Sequence, residues 1–119
     1  MNRLQFVYLY GLLEREPEKI EFDDVIELID DNFEFTPTGF KNGTFYNQPG
    51  ENNGSCKLLS FAKLQNLSER QTLGCFGAYY REDVLNAPDG ENHQNIRQFM
   101  QHGWVGVQFD GEALQPKTT

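Results

Sequence analysis

Cys56 stands in the run Asn52-Asn53-Gly54-Ser55-Cys56-Lys57, where residue types and spacing suggest a reactive group. Ser55 is a helix-capping type, so the run reads as a turn opening a helix from Cys56 to about Asn66. Backbone N–H groups and the positive end of the helix dipole would then face the thiol, and Lys57 would add a cation. All three favour the thiolate, the form that attacks electrophiles. Gly54 lets a ligand approach the backbone, and the asparagines tolerate unusual turn conformations. The plainer alternative is that Ser55 only caps the helix while Cys56 packs as a small hydrophobe.

A nucleophilic cysteine needs a base, and the chain offers two histidines, His93 and His102. A cysteine at a helix start followed by a histidine on a later strand resembles papain-like and transglutaminase-like thiol enzymes. His102-Gly103-Trp104-Val105 carries that likeness, with Asp110 placed to orient the ring. A helix-terminal histidine balancing the dipole is the competing account of either residue. Two further segments are polar beyond what a core requires. Tyr79-Tyr80-Arg81-Glu82-Asp83 could line a ligand pocket, or Tyr80 could belong to the core while Arg81 pairs locally. Asn95 and Arg97 flank Ile96 and are expected to point away from the core, where Arg97 could bind an anion in two-pronged fashion. The candidate ligand-binding set is therefore Asn53, Ser55, Lys57, Tyr79, Tyr80, Arg81, Asp83, Asn95 and Arg97, and the candidate catalytic set is Cys56, His93 and His102. No metal site and no cofactor are expected: Asp89-Gly90-Glu91 lacks the spacing of a calcium loop, two histidines without HExxH make no zinc site, and no phosphate-binding glycine motif occurs.

Helices dominate the elements that must hold these groups. Leu4 to about Glu14 is apolar almost all round, which predicts a largely buried helix. Phe22, Val25, Ile26, Ile29 and Phe33 form one helical stripe with acidic residues opposite. Asn42-Gly43 predicts a β-hairpin over 40–47, and Gln48 to Gly54 reads as a loop. Ser68 to Gln71 reads as a capping box opening a helix that carries Leu73, Phe76, Tyr80 and Val84. A last helix carries Ile96, Phe99 and Met100 and stops at Gly103. Val105, Val107 and Phe109 alternate as a half-buried strand over 104–109, which could join the hairpin. The tail from Gln115 is expected to fray. The fold class is α+β, a helix-dominated single domain over residues 1–119, with about five helices and a small antiparallel sheet.

Composition narrows the function. Ten basic against 18 acidic residues give a net charge of −8, which repels nucleic-acid phosphates and anionic lipid. No segment is apolar for long enough to span a membrane, and Gln5, Glu14, Arg15 and Glu16 argue against a signal peptide. Two cysteines without a CxxC motif suggest reduced thiols in a reducing compartment. Expected partners are a small molecule or a protein, not nucleic acid or membrane.

Several strings together resemble a known family. Phe35-Thr36-Pro37-Thr38, Asn52 to Lys57, Cys75-Phe76-Gly77-Ala78-Tyr79-Tyr80-Arg81-Glu82-Asp83-Val84-Leu85 and His93-Gln94-Asn95-Ile96-Arg97-Gln98-Phe99-Met100 are similar to the HopJ type III effector family. Gly103-Trp104 and Phe109-Asp110-Gly111 extend the likeness, which runs from about Glu21 to Leu114. The resemblance implies a protein of the kind that plant-pathogenic bacteria deliver into host cells, where a host protein would be the partner. It carries no assigned activity or catalytic residue. Structure is expected to begin near Leu4, which leaves little room for a flexible export leader. That favours the bacterial cytoplasm, with type III secretion into a host cell as the alternative. The leading functional expectation is a binding module with a polar pocket walled by the segments at Asn53 to Lys57, Tyr79 to Asp83 and His93 to Arg97. The alternatives are a cysteine-dependent hydrolase or transferase using Cys56, and a protein-interaction module.

Overall fold

The first helix, α1 (Arg3–Arg15), opens the computed structural model, which describes residues 3–117. It does not bury itself all round. Phe6, Leu9 and Leu13 share one face and pack inward, with the Phe6 ring stacked 5.8 Å from Phe61. Val7 and Tyr8 stay exposed. A short 3-10 turn, Pro17–Lys19, leads to α2 (Phe22–Asn32), which buries Val25, Leu28 and Ile29. Asp23 and Asp24 sit in its first turn, where the helix dipole favours anions.

Phe33 continues the apolar stripe of α2 but lies outside the helix. It starts β1 (Phe33–Phe35), which pairs antiparallel with β5 (Leu114–Pro116). The expected fraying from Gln115 is therefore corrected: Gln115 and Pro116 form ladder pairs, and Lys117 donates from its backbone to Asn32 O. Thr118 and Thr119 lie outside the described residues.

The hairpin forms as expected from β2 (Phe40–Asn42) and β3 (Phe45–Asn47). Its two-residue loop is Gly43-Thr44 rather than Asn42-Gly43. Gly43 takes the left-handed conformation, φ +64°, while Asn42 lies in the strand. β4 (Val107–Phe109) pairs with β2, giving the sheet order β3-β2-β4. The expected strand is shorter than 104–109, because Gly103–Gly106 is a 3-10 turn that leaves Val105 98% exposed.

Three more α-helices complete the core: α3 (Asn53–Leu64), α4 (Glu69–Cys75) and α5 (Gln94–His102). α4 carries the expected capping box, with Gln71 N–H donating to Ser68 Oγ and Ser68 N–H to Gln71 Oε1. The helix expected from Ser68 through Val84 is broken at Gly77, whose φ is +65°. A Cβ there would lie 2.8 Å from Phe22 N and 3.0 Å from Ile20 O, so the backbone of α2's approach occupies the space of a side chain. Beyond the break, Tyr79–Val84 winds as a π-helix. Phe40, Phe61, Phe76, Phe99, Ile29, Leu58 and Leu59 fill one core shared by both sheets and the helices. Among the described residues no helix is long and apolar enough to cross a membrane.

Candidate functional site

Two helices begin at the same place. α3 starts after Asn52 (φ 51°, ψ 49°) and α5 after His93 (φ 53°, ψ 49°), both left-handed and neither supplying a side-chain cap. The first turn of each helix also lacks an acidic residue. Their N-termini open on one cleft of about 410 Å³, lined by Asn52, Gly54 and Ser55 from α3's start and His93, Gln94, Asn95 and Ile96 from α5's. Phe22, Phe76, Phe45 and Tyr79 make up the remaining wall. The rings form a ladder: Phe22 stacks on Phe76 at 6.0 Å and meets Tyr79 edge-on at 5.3 Å, and Tyr79 stacks on His93 at 5.1 Å. Gly54 makes room for this wall, since a Cβ there would lie 2.9 Å from Phe22 Cζ.

Behind the cleft lies a group of asparagines that ties the hairpin to both helix starts. Asn42 Nδ2 donates to Asn95 O and Asn95 Oδ1, at 2.8 and 3.0 Å. Asn47 Nδ2 donates to the same Asn95 Oδ1, and Asn95 Nδ2 returns a bond to Asn47 Oδ1 at 3.0 Å. Asn52 Nδ2 joins at Asn47 Oδ1, 2.7 Å away. Asn42 and Asn47 are fully buried and Asn95 is 4% exposed, so each lost bond would leave a polar atom without water. Among the described residues Asn42 Oδ1 has no hydrogen-bond partner. The expectation that Asn95 points away from the core is therefore corrected. Asn42 was legible only as a turn residue, and nothing in a single sequence pairs it with Asn47 and Asn95.

The other predicted residues separate. Tyr79, Ser55 and Asn95 line the cleft, and His93 forms its rim with Nε2 3.0 Å from Asp83 Oδ2. Asn53 lies in the first turn of α3 but is not part of the lining. Lys57 turns to Asp30 at 2.8 Å and to the face of Phe35, away from the cleft. Tyr80 packs against the core. Arg81 donates to Pro17 O and Ile20 O, and Arg97 to Ala87 O, Pro88 O, Asn92 O and Asn92 Oδ1. Both guanidinium groups thus bind this chain's own backbone and loops.

Cys56 does not sit where the sequence placed it. α3 begins three residues earlier, so Ser55 is inside the first turn rather than capping it, and Cys56 N–H already donates to Asn52 O. The thiol is 1% exposed and donates to Thr38 O at 3.5 Å. Burial pushes its pKa up, and the contacts with Thr38 and Ser60 offset this only in part. The expected activation of Cys56 is overturned, because desolvation outweighs the dipole at this depth. The two histidines are occupied elsewhere. His93 pairs with Asp83, and His102 ends α5 against Gly43 and Gly106. Asp110 accepts from Tyr46 Oη, whose pKa is raised by that bond, and so does not orient His102.

The sequence profile of the HopJ type III effector protein family matches residues 8–114. The chain belongs to the HopJ type III effector family. A HopJ-like fold is also seen in the crystal structure of VPA0580, described as an unknown function protein. The two are 49% identical, the match covers 98% of this chain and 95% of that one, and the TM-score is 0.91. No curated protein matches the chain.

First-turn N–H groups of α3 and α5 offer donors, Ser55 offers a hydroxyl, and the ring ladder offers flat apolar area. Among the described residues no group of three or more His, Cys, Asp or Glu could hold a metal ion.

Proposed function

We propose that the chain is a binding module that takes a small ligand in the cleft between the N-termini of α3 and α5. One observation carries this reading: segments far apart in sequence, at Asn52 to Ser55, Tyr79 and His93 to Ile96, line a single concavity. Its size falls in the range of roughly 300–1,000 Å³ common for small-molecule sites. Two left-handed non-glycine residues and a π-helix meet there, and such costly backbone features concentrate at functional sites. A fitting ligand has a flat apolar part against Phe22 and Tyr79. Its hydrogen-bond acceptors face the uncapped helix starts.

The test is a nuclear magnetic resonance screen with aromatic fragments, one set bearing a carboxylate or phosphate and one set neutral. Binders should shift the amides of residues 53–55 and 94–96. Tyr79→Ala should weaken them while the chain stays folded, with a fall in melting temperature no larger than the loss of its ring contacts explains. Binders that map elsewhere, or a screen without binders, would sink the reading. A thiol-enzyme function gains no support from the buried, carbonyl-bonded Cys56. Family membership is compatible with action in the bacterial cytoplasm or, after type III export, in a host cell. Comparing culture supernatants from strains with and without a working secretion apparatus separates the two.

A further inference from the structure

The exposed side of α1 has a counterpart on α2. Gln5, Tyr8, Leu9 and Leu12 of α1 face Val25 and Leu28 of α2 across an open groove of about 470 Å³. Its floor is apolar, and Tyr8 beside it is 62% exposed. One flank is acidic: Glu21, Asp24 and Glu27 recur every third residue. Two other acids of α2 are occupied, with Asp30 bound to Lys57 and Asp31 to Gln5. Among the described residues Asp24 and Glu27 have no such partner, and Arg81 reaches Glu21 only at 3.9 Å. Lys19, the one cation lining the groove among the described residues, is paired to Glu16 at 2.9 Å.

We propose that the α1–α2 groove docks a basic amphipathic helix of another protein. Two helix faces forming a trough suit a third helix that inserts apolar anchors at i, i+3 or i+4, and i+7. From Glu21, its N-cap, to Leu28 the α2 wall extends for about two helical turns, or ~10 Å, which matches that anchor spacing. Lys or Arg on the incoming helix would lie over Asp24 and Glu27, and the face of Tyr8 would accept a further cation. A second copy of the chain is a poor occupant, since its net charge of −8 and its acidic α2 flank would meet the same charges. Anionic lipid is repelled for the same reason. The proposal is independent of the cleft reading.

The test uses the full chain and three synthetic peptides of equal length. The first is a Leu/Lys helix with leucines on one stripe, the second has the same composition scrambled to remove the stripe, and the third is the striped Leu/Glu analogue. Calorimetric titration should show the striped basic peptide binding about tenfold tighter than the scrambled one, and the acidic analogue not binding. Amide shifts should map to α1 and α2. Raising salt should weaken binding, as should Asp24→Asn with Glu27→Gln, both exposed positions. Tyr8→Ala, on the opposite wall, removes apolar area and the cation-accepting ring and should weaken it independently. Equal binding of striped and scrambled peptides would reduce the effect to net charge and overturn the proposal. So would unchanged affinity in both variants, shifts confined to the α3–α5 cleft, or self-association through this face.

Discussion

The two ends of α3 each carry an asparagine in the left-handed conformation, for different reasons. At the C-terminal end, Asn66 (φ 57°) closes the helix: its N–H donates to Lys63 O, and Leu67 N–H donates to Ala62 O. That double bond pattern is a Schellman ending, with Leu67 buried behind it. At the N-terminal end, Asn52 has the same backbone conformation but gives its side chain to Asn47, not to the helix. One end satisfies its own backbone, whereas the other leaves its first turn facing a cleft. The contrast with α4 is similar, since Ser68 and Gln71 cap that helix reciprocally. An element is finished locally where nothing else is required of it. Where it is left open, its geometry is fixed by groups further back, here Asn42, Asn47 and Asn95.

The largest test of that contrast is Asn95→Ala. It removes the acceptor of two buried amides and the donor to Asn47 Oδ1, so urea denaturation should show a loss of roughly 2–4 kcal/mol. A loss below about 1 kcal/mol would mean the asparagine group does not hold the helix starts. A comparable effect is expected at Cys75, a thiol in the core whose pKa burial pushes up to about 12 from 9.0. The folded state favours the neutral thiol, so this stability is complete below about pH 9 and is lost as pH rises through about 12. Alkaline unfolding should be shallower in Cys75→Ala than in the wild type, and an unchanged profile would remove Cys75 from the account. Ser68→Ala should cost about 1 kcal/mol, whereas Ser55→Ala should stay within about 0.5 kcal/mol, because only Ser68 caps a helix. Equal losses would restore Ser55 as the cap of α3. The smallest effect is Asn66→Gly, expected to be neutral or stabilising by up to about 1 kcal/mol, while Asn52→Gly should be net destabilising through its lost bond to Asn47. Thermal melts of the pair decide it.

Much of the fold is legible in the sequence because its signals are local. The stripe of α2, the Ser68–Gln71 box and the glycine at the hairpin turn each act within a few residues. What was not legible depends on distant partners. β1 and β5 are three residues each, too short for alternation to register, and exist because they meet. The break at Gly77 follows from the approach of Ile20 and Phe22 from another part of the chain. The cleft was half visible: polar segments beyond the needs of a core marked its walls. The partners that Lys57, Arg81 and Arg97 take within the chain were not legible, because charge says nothing about which direction a long side chain takes. Cys56 was misplaced by three residues of helix, enough to move a thiol from an opening into the interior.

The pairing of β1 with β5 also sets a timetable. Phe35 meets Leu114, so a strand made in the first third of synthesis waits for one made near the end. Loop closure over that separation is slow compared with winding the helices between them. A nascent chain on the ribosome would thus carry formed helices around an unsealed core, and the domain would close only once residue 116 had cleared the exit tunnel.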